Sequence, residues 1–133
     1  MRNEIKVSFP GGKRVDAEYK GFVIKTDQPI HQGGDASAPA PFDLFLVSLA
    51  TCSGIYVLSF CQMRNIPTEE LSITMRMERD ENKKRIGKFI LEIKLPPEFP
   101  EKYRNAVIKS VNGCAVKIYL QDPPEFEVFT TKP

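Results

Sequence analysis

The sequence predicts an α+β fold in which antiparallel strands flank one long apolar helix. Alternating apolar and polar residues predict strands early and midway along the chain, and an almost continuous apolar run lies between them at residues 44–61. The chain has 133 residues, 41% hydrophobic and 27% charged, which is the balance of an ordinary globular protein. This length suits a single domain over residues 1–133 that buries its own hydrophobic core.

The charge balance gives no reason to expect a nucleic-acid or anionic-membrane partner. Lys and Arg number 19, Asp and Glu 17, and the net charge is +2. The basic run Lys83-Lys84-Arg85 stands between two predicted strands, which favours a solvated turn over a binding patch. The opening residues Met1-Arg2-Asn3-Glu4 lack the apolar stretch of a secretory signal, so a cytoplasmic location is expected.

The strand predictions rest on period-two alternation and on turn residues. Alternation over residues 5–9 and 15–19, followed by the apolar residues 22–24, predicts an N-terminal antiparallel meander. Segments 71–79 and 88–95 alternate in the same way and predict a hairpin, and segment 125–130 predicts a closing strand. Between the meander and the apolar run, Gly, Pro and small polar residues predict a loop over Asp27–Ala40.

The apolar run predicts a helix over Pro41–Arg64. Pro41 and Asp43 suit its first turn, because proline fits there and a carboxylate complements the helix dipole. The run is apolar nearly all round, which is typical of a fully buried helix. It approaches the length of a membrane span, but its Ser, Thr and Gly residues favour a soluble core. One small subunit cannot easily cover such a helix, so the pattern predicts a homodimer.

Two shorter helices are predicted near the C-terminus. One begins at Pro100-Glu101 and ends at Asn112-Gly113, because both terminal residues tolerate the left-handed backbone. The other spans Cys114–Leu120, and its free amides at the start would favour a thiolate.

The three cysteines are separated by helix geometry. In a reducing cytosol they argue against a disulfide framework and leave thiol chemistry, metal binding or burial. Cys52 and Cys61 are nine residues apart, which places them on opposite helix faces, about 13 Å apart along the axis. Cys52 and Cys114 are therefore the plausible redox pair, with simple burial as the alternative for Cys52. Cys61 is interpreted as a small core residue.

Other residues are candidates for supporting roles. His31, the only histidine, could join the two cysteines in a metal site or a Cys-His nucleophile pair, although a solvated loop histidine is the simpler interpretation. Arg14 could lower a thiol pKa or could be a solvated surface residue. Ser48 and Tyr56 lie four residues either side of Cys52 and could line a pocket or pack in the core.

Three segments of the chain together resemble the OsmC/Ohr family of osmotically induced and organic hydroperoxide resistance proteins. They are Ala38-Pro39-Ala40-Pro41-Phe42-Asp43-Leu44-Phe45, Leu49-Ala50-Thr51-Cys52-Ser53 and Asn112-Gly113-Cys114-Ala115-Val116. The resemblance implies an intertwined homodimer with central helices between two sheets. It also implies that Cys52 attacks the peroxide and Cys114 resolves it, helped by an N-terminal arginine and a glutamate at the start of the long helix. Here Phe42 occupies the glutamate position, and Asp43 lies about 180° around the helix from Cys52.

Two functions follow as hypotheses. The first is a thiol peroxidase that reduces organic hydroperoxides through Cys52 and Cys114, with an external dithiol as reductant and without metal or organic cofactor. The apolar helix face and the aromatic residues Phe42, Phe45 and Tyr56 suit an organic peroxide. The second is a non-catalytic dimeric stress or binding protein with a hydrophobic ligand pocket.

Overall fold

The computed structural model describes residues 4–133, and the prediction drawn from Met1–Asn3 lies outside them. The chain divides into two compact units, Met1–Val47 and Ser48–Pro133. The helix α1, Pro41–Met63, begins in the first unit and continues into the second. The prediction that residues 1–133 form a single domain stays a prediction.

The first unit contains the predicted meander. Strands β1 (Lys6–Gly11), β2 (Arg14–Tyr19) and β3 (Phe22–Thr26) pair antiparallel in that order. The β2–β3 turn has two residues, Lys20 at φ 52° and Gly21 at φ 82°, and the pairing of Tyr19 with Phe22 closes it. Two left-handed residues match the right-handed twist of the strands, so a glycine is favoured in this turn.

A buried carboxylate organises the predicted loop over Asp27–Ala40. The Asp27 side chain is fully buried, and its oxygens accept hydrogen bonds from the Gln28 N–H at 2.7 Å and the Ser37 N–H at 3.0 Å. The Ser37 hydroxyl donates a further bond at 2.5 Å. These bonds, led by that from the Ser37 hydroxyl, lower the pKa of Asp27 to about 2 against the opposing effect of burial. The loop is therefore held by charge-assisted hydrogen bonds rather than by apolar packing.

The second unit contains the predicted hairpin and the shorter helices. Strands β4 (Ser72–Asp80) and β5 (Arg85–Lys94) pair antiparallel, and the exposed turn between them includes Lys83 and Lys84, as the basic run predicts. After the hairpin come a 3-10 turn at Glu101–Tyr103 and the helix α2, Arg104–Ser110. A 3-10 turn at Val111–Gly113 then leads into the helix α3, Ala115–Gln121.

The core of the second unit joins α1 to α2 and the hairpin. Val57 and Phe60 of α1 are buried with Val107 of α2. Partly buried apolar residues of the hairpin and the following segment pack around these three: Leu71, Ile73, Ile93, Leu95, Phe99, Tyr103 and Val111. The Phe60 and Tyr103 rings meet edge-on with centroids 5.9 Å apart, a favourable geometry for aromatic pairs. This core fixes the C-terminal part of α1, which carries Cys52, against the segment that carries Cys114.

The prediction that α1 is buried on all sides is wrong for the single chain. Buried residues form one stripe along it, namely Leu49, Ser53, Val57, Phe60 and Cys61. Large apolar side chains remain exposed elsewhere on it, namely Phe42, Val47, Ile55, Tyr56 and Met63. The helix is long and apolar enough to cross a membrane by length and composition, and 28% of its most apolar window is buried. One small subunit has too few elements to cover every face of such a helix.

The predicted closing strand at Glu125–Thr130 is also wrong for this chain. Within residues 4–133, the segment that follows α3 forms neither helix nor strand. Phe126 and Val128 are each 90% exposed. Alternation alone cannot make a strand, because a strand also needs a neighbour that pairs with its backbone.

Candidate active site

The sulfur of Cys52 lies at the start of α3. It accepts hydrogen bonds from the backbone N–H groups of Val116 and Ala115 and from the thiol of Cys114. The bond from Val116 has the largest effect, and together these donors lower the pKa of Cys52 although burial opposes them. Hydrogen bonds to a charged sulfur stabilise the thiolate, which is the nucleophilic form of cysteine. The structure thus brings the two predicted cysteines close enough to interact, and all three cysteines are free thiols.

The local backbone places these donors. Cys114 takes the N-cap position of α3 with φ −55° and ψ 119°, so the chain turns there before the helix begins. The first amides of a helix have no partner within it, and here Ala115 and Val116 direct theirs to the sulfur. The sequence predicted free amides after Cys114 that favour a thiolate. The structure shows that the thiolate they favour is that of Cys52.

The residue before Cys114 makes a close contact that sequence reasoning missed. A Cβ built on Gly113 would lie 2.9 Å from Cε1 and 3.3 Å from Cδ1 of the Tyr56 ring. Neither Asn112 nor Gly113 has a positive φ, so the predicted left-handed helix end is wrong. The segment ends instead in a 3-10 turn, closed by a bond from the Cys114 N–H to the Val111 carbonyl at 3.0 Å. Glycine is needed at 113 for space rather than for backbone conformation.

The third cysteine has the opposite electrostatic environment. Cys61 is fully buried, and burial raises its pKa although the charge of Arg64 opposes the shift. The Arg64 guanidinium lies 3.6 Å from the centre of the Phe60 ring and donates to the Phe60 carbonyl at 3.1 Å. Cys61 is therefore a buried thiol of low reactivity, in agreement with its interpretation as a core residue.

The remaining predicted site residues divide between the two units. Ser48 and Tyr56 belong to the second unit together with Cys52 and Cys114, and Ser48 is partly buried. Arg14 belongs to the first unit, where it forms an ion pair with Asp16 at 3.2 Å within strand β2. His31 lies in a 3-10 turn at Ile30–Gln32. Among residues 4–133, no group of three or more His, Cys, Asp and Glu side chains has a metal-binding arrangement.

The first turn of α1 gives Asp43 a structural partner. The Ala40 N–H donates to Asp43 Oδ2 at 3.0 Å, which is the reciprocal bond of a capping box. Phe42 is exposed, and its ring centre lies 5.5 Å from that of Phe45. Asp43 thus stabilises the start of the helix, and Phe42 adds aromatic surface beside it.

A separate pocket with mixed polar and apolar walls lies within the second unit. Its volume is about 560 Å³. The walls come from β5, α2 and the segments that flank them: Leu91, Ile93, Leu95, Pro96, Pro97, Phe99, Glu101, Arg104, Val107, Ile108, Val111, Asn112 and Lys117. Neither Cys52 nor Cys114 lines it. The pocket and the thiol pair are therefore two distinct features of this unit.

Comparison with known proteins agrees with the fold. The model of the OsmC-like protein family matches residues 33–129, and the chain belongs to this family. The solved OsmC-like protein of Mycoplasma pneumoniae is 18% identical, with a TM-score of 0.69 over 92% of this chain and 89% of that one. No curated protein matches the chain.

Two further solved structures share the fold. One is a protein of Psychrobacter arcticus 273-4 named for osmotic stress induction and a detoxification response, with 22% identity and a TM-score of 0.69 over 84% of this chain and 83% of that one. The other is the organic hydroperoxide resistance protein OsmC of Legionella pneumophila, with 17% identity and a TM-score of 0.58 over 91% and 90%. The α+β architecture, with antiparallel sheets and a long helix, is thus that of OsmC-like proteins.

Proposed function

We propose that this chain is a thiol-dependent peroxidase that reduces organic hydroperoxides through Cys52 and Cys114. The observation that carries the proposal is the environment of the Cys52 sulfur, which two backbone N–H groups and the Cys114 thiol contact together. A thiolate stabilised beside a second thiol is the arrangement that peroxide reduction followed by disulfide formation requires.

The reaction takes place in three balanced steps. The Cys52 thiolate attacks one peroxide oxygen and the O–O bond breaks, which leaves a sulfenic acid on Cys52 and, after protonation, releases the alcohol. The Cys114 thiol then attacks the Cys52 sulfur, so that a disulfide forms and water leaves. An external dithiol exchanges with this disulfide, is itself oxidised, and restores both thiols.

The surroundings of the long helix support an organic substrate. The aromatic rings of Phe42 and Phe45 lie side by side at the start of α1, and Tyr56 lies one helical turn beyond Cys52. Apolar and aromatic surface favours a hydrocarbon-bearing peroxide over a strongly hydrated one. The similar structure from Legionella pneumophila is named an organic hydroperoxide resistance protein, and organic hydroperoxides are the same class of substrate.

The proposal includes a cytoplasmic homodimer. Ile55 is 52% exposed on α1, and Val47 and Met63 on the same helix are exposed as well. An apolar surface along a helix is typical of an interface between subunits. A reducing compartment would keep the two cysteines available for repeated turnover.

The test is consumption of cumene hydroperoxide by the purified protein with dithiothreitol as reductant. Cys52→Ser should abolish consumption above the uncatalysed rate, because it removes the attacking sulfur. Cys61→Ala is the matched control and should keep the wild-type rate. Cys114→Ser should form a sulfenic acid that dimedone traps, without an intramolecular disulfide. Equal consumption by the wild type and Cys52→Ser would refute the proposal.

The pocket of the second unit favours a second candidate function, a dimeric binding protein with a hydrophobic ligand and without turnover. A volume of about 560 Å³ lies in the range of small-molecule sites. This alternative predicts that Cys52 and Cys114 stay reduced under stoichiometric peroxide and that an apolar molecule copurifies. Mass spectrometry separates the two: a Cys52–Cys114 linked peptide supports the enzyme, and a retained apolar molecule without that link supports binding.

A further inference from the structure

The contact between Gly113 and Tyr56 joins the two sequence segments that carry the redox cysteines. Tyr56 follows Cys52 by four residues, so both side chains lie on one face of α1. Gly113 precedes Cys114 directly. The Tyr56 ring therefore touches the turn from which the Cys114 thiol and the two amide donors extend toward Cys52.

The geometry leaves no room for a larger residue at position 113. Carbon atoms in favourable contact are about 3.5–4.0 Å apart, whereas a Cβ on Gly113 would lie 2.9, 3.3 and 3.5 Å from three atoms of the Tyr56 ring. Because Gly113 does not have a positive φ, an alanine there would suffer this overlap and no backbone strain. Either the ring or the turn would have to move.

We propose that Tyr56 is a positioning residue whose ring, packed against Gly113, sets the approach of Cys114 and of the Ala115 and Val116 amides to the Cys52 sulfur. A role for Tyr56 in catalysis rests on the proposed function. The dependence of the Cys52–Cys114 pair on the Tyr56–Gly113 contact is a property of the thiols and holds without peroxidase activity. In this proposal the aromatic ring of Tyr56 carries the effect, and its hydroxyl takes no part.

The proposal predicts how two properties of the pair change. If the turn moves away from α1, Cys52 loses hydrogen bonds to its charged form, so its pKa rises. Disulfide formation also becomes less favourable, because misplacement of reacting groups by about 1 Å lowers their effective concentration by about 10-fold to 100-fold. A purely structural role for Tyr56 would lower the free energy of unfolding and leave both properties of the folded protein unchanged.

The experiment uses oxidised glutathione, so it requires no peroxidase activity. The Cys52 thiolate attacks glutathione disulfide and releases one glutathione, and Cys114 then displaces the second to form the intramolecular disulfide. The equilibrium constant measures how well the two sulfurs are placed, and the pH dependence of iodoacetamide labelling of Cys52 measures its pKa. The variants are Gly113→Ala, Tyr56→Ala, Tyr56→Phe and the double variant Gly113→Ala/Tyr56→Ala.

Gly113→Ala and Tyr56→Ala should each lower the equilibrium constant about tenfold or more and raise the Cys52 pKa. Tyr56→Phe keeps the ring and should retain both values far better than Tyr56→Ala. The double variant should lose no more than Tyr56→Ala alone, because without the ring the added Cβ has nothing to overlap. Gly54→Ala is the matched control, since its new Cβ would meet only Ile73 Cδ1 at 3.9 Å.

Two outcomes would overturn the proposal. One is that Tyr56→Ala keeps the wild-type equilibrium constant and the wild-type Cys52 pKa. This variant adds no bulk, so it tests the proposal even if Gly113→Ala does not fold. The other is an equal loss in Tyr56→Phe and Tyr56→Ala, which would assign the effect to the hydroxyl. Failure of the peroxidase proposal appears separately, as a wild-type protein that forms the disulfide with glutathione but consumes no peroxide.

Discussion

At the scale of single residues, hydrogen bonds to the charged form lower the pKa of one partly buried thiol and one buried carboxyl group. The Cys52 sulfur and the Asp27 carboxylate each accept bonds from backbone N–H groups, and the pKa of each is lowered despite burial. The sequence predicted the pairing of Cys52 with Cys114 because helix geometry is local and separates Cys52 from Cys61. It did not predict the Tyr56–Gly113 contact, because that contact depends on how distant segments pack.

The lowered pKa of Asp27 predicts how its contribution to the stability of the fold changes with pH. Its folded pKa of about 2 lies below the value of 3.8 expected without these bonds, so its contribution to stability is present above about pH 4 and is lost as the pH falls toward 2. Asp27→Asn should therefore lower the urea midpoint at pH 7, and the difference from wild type should shrink between pH 4 and pH 2. A difference that stays constant over this range would contradict the assignment.

At the scale of helices and strands, the period-two alternation of apolar residues was sufficient to predict strands that pair with their neighbours in the sequence. The meander and the β4–β5 hairpin are confirmed, since each strand pairs with the next one along the chain. The same alternation failed at Glu125–Thr130, which pairs with no strand among residues 4–133. Helix α1 was predicted to within one residue at its end, but the prediction of its complete burial is wrong for the single chain. Burial depends on what surrounds a helix as well as on its own composition.

Helix α2 provides a matched pair for testing the core. Val107 is 1% exposed in the cluster with Val57 and Phe60, whereas its neighbour Ile108 is 57% exposed. Val107→Ala should lower the free energy of unfolding by about 2 kcal/mol, through lost apolar burial and the cavity it leaves. Ile108→Ala should change it by less than about 0.5 kcal/mol. Urea unfolding followed by far-UV circular dichroism measures both, and equal effects would contradict the described core.

At the scale of the whole molecule, the exposed apolar surface requires an explanation. It includes one side of α1 and the C-terminal segment with Phe126, Val128 and Phe129. Such surface is costly in water, and a second copy of the chain would cover it. The sequence predicted a dimer from the same property of α1.

A charge on the exposed side of α1 tests this assembly. Ile55→Asp would place a carboxylate in the proposed interface, where burial without a partner is unfavourable. The wild type should have the mass of a dimer by size-exclusion chromatography with light scattering at micromolar concentration, and Ile55→Asp should shift toward the monomer. Lys83→Asp, in the exposed hairpin turn, is the control and should remain dimeric. A monomeric wild type would refute the dimer.

The hydrogen-bond donors at the Cys52 sulfur are main-chain groups, and this has a consequence for how the chain tolerates change. Substitutions of Ala115 and Val116 alter side chains but keep their N–H groups, with proline as the exception. Exchange of either side chain for another that keeps the N–H group, which includes most point mutations at these two positions, is therefore expected to leave the Cys52 pKa lowered.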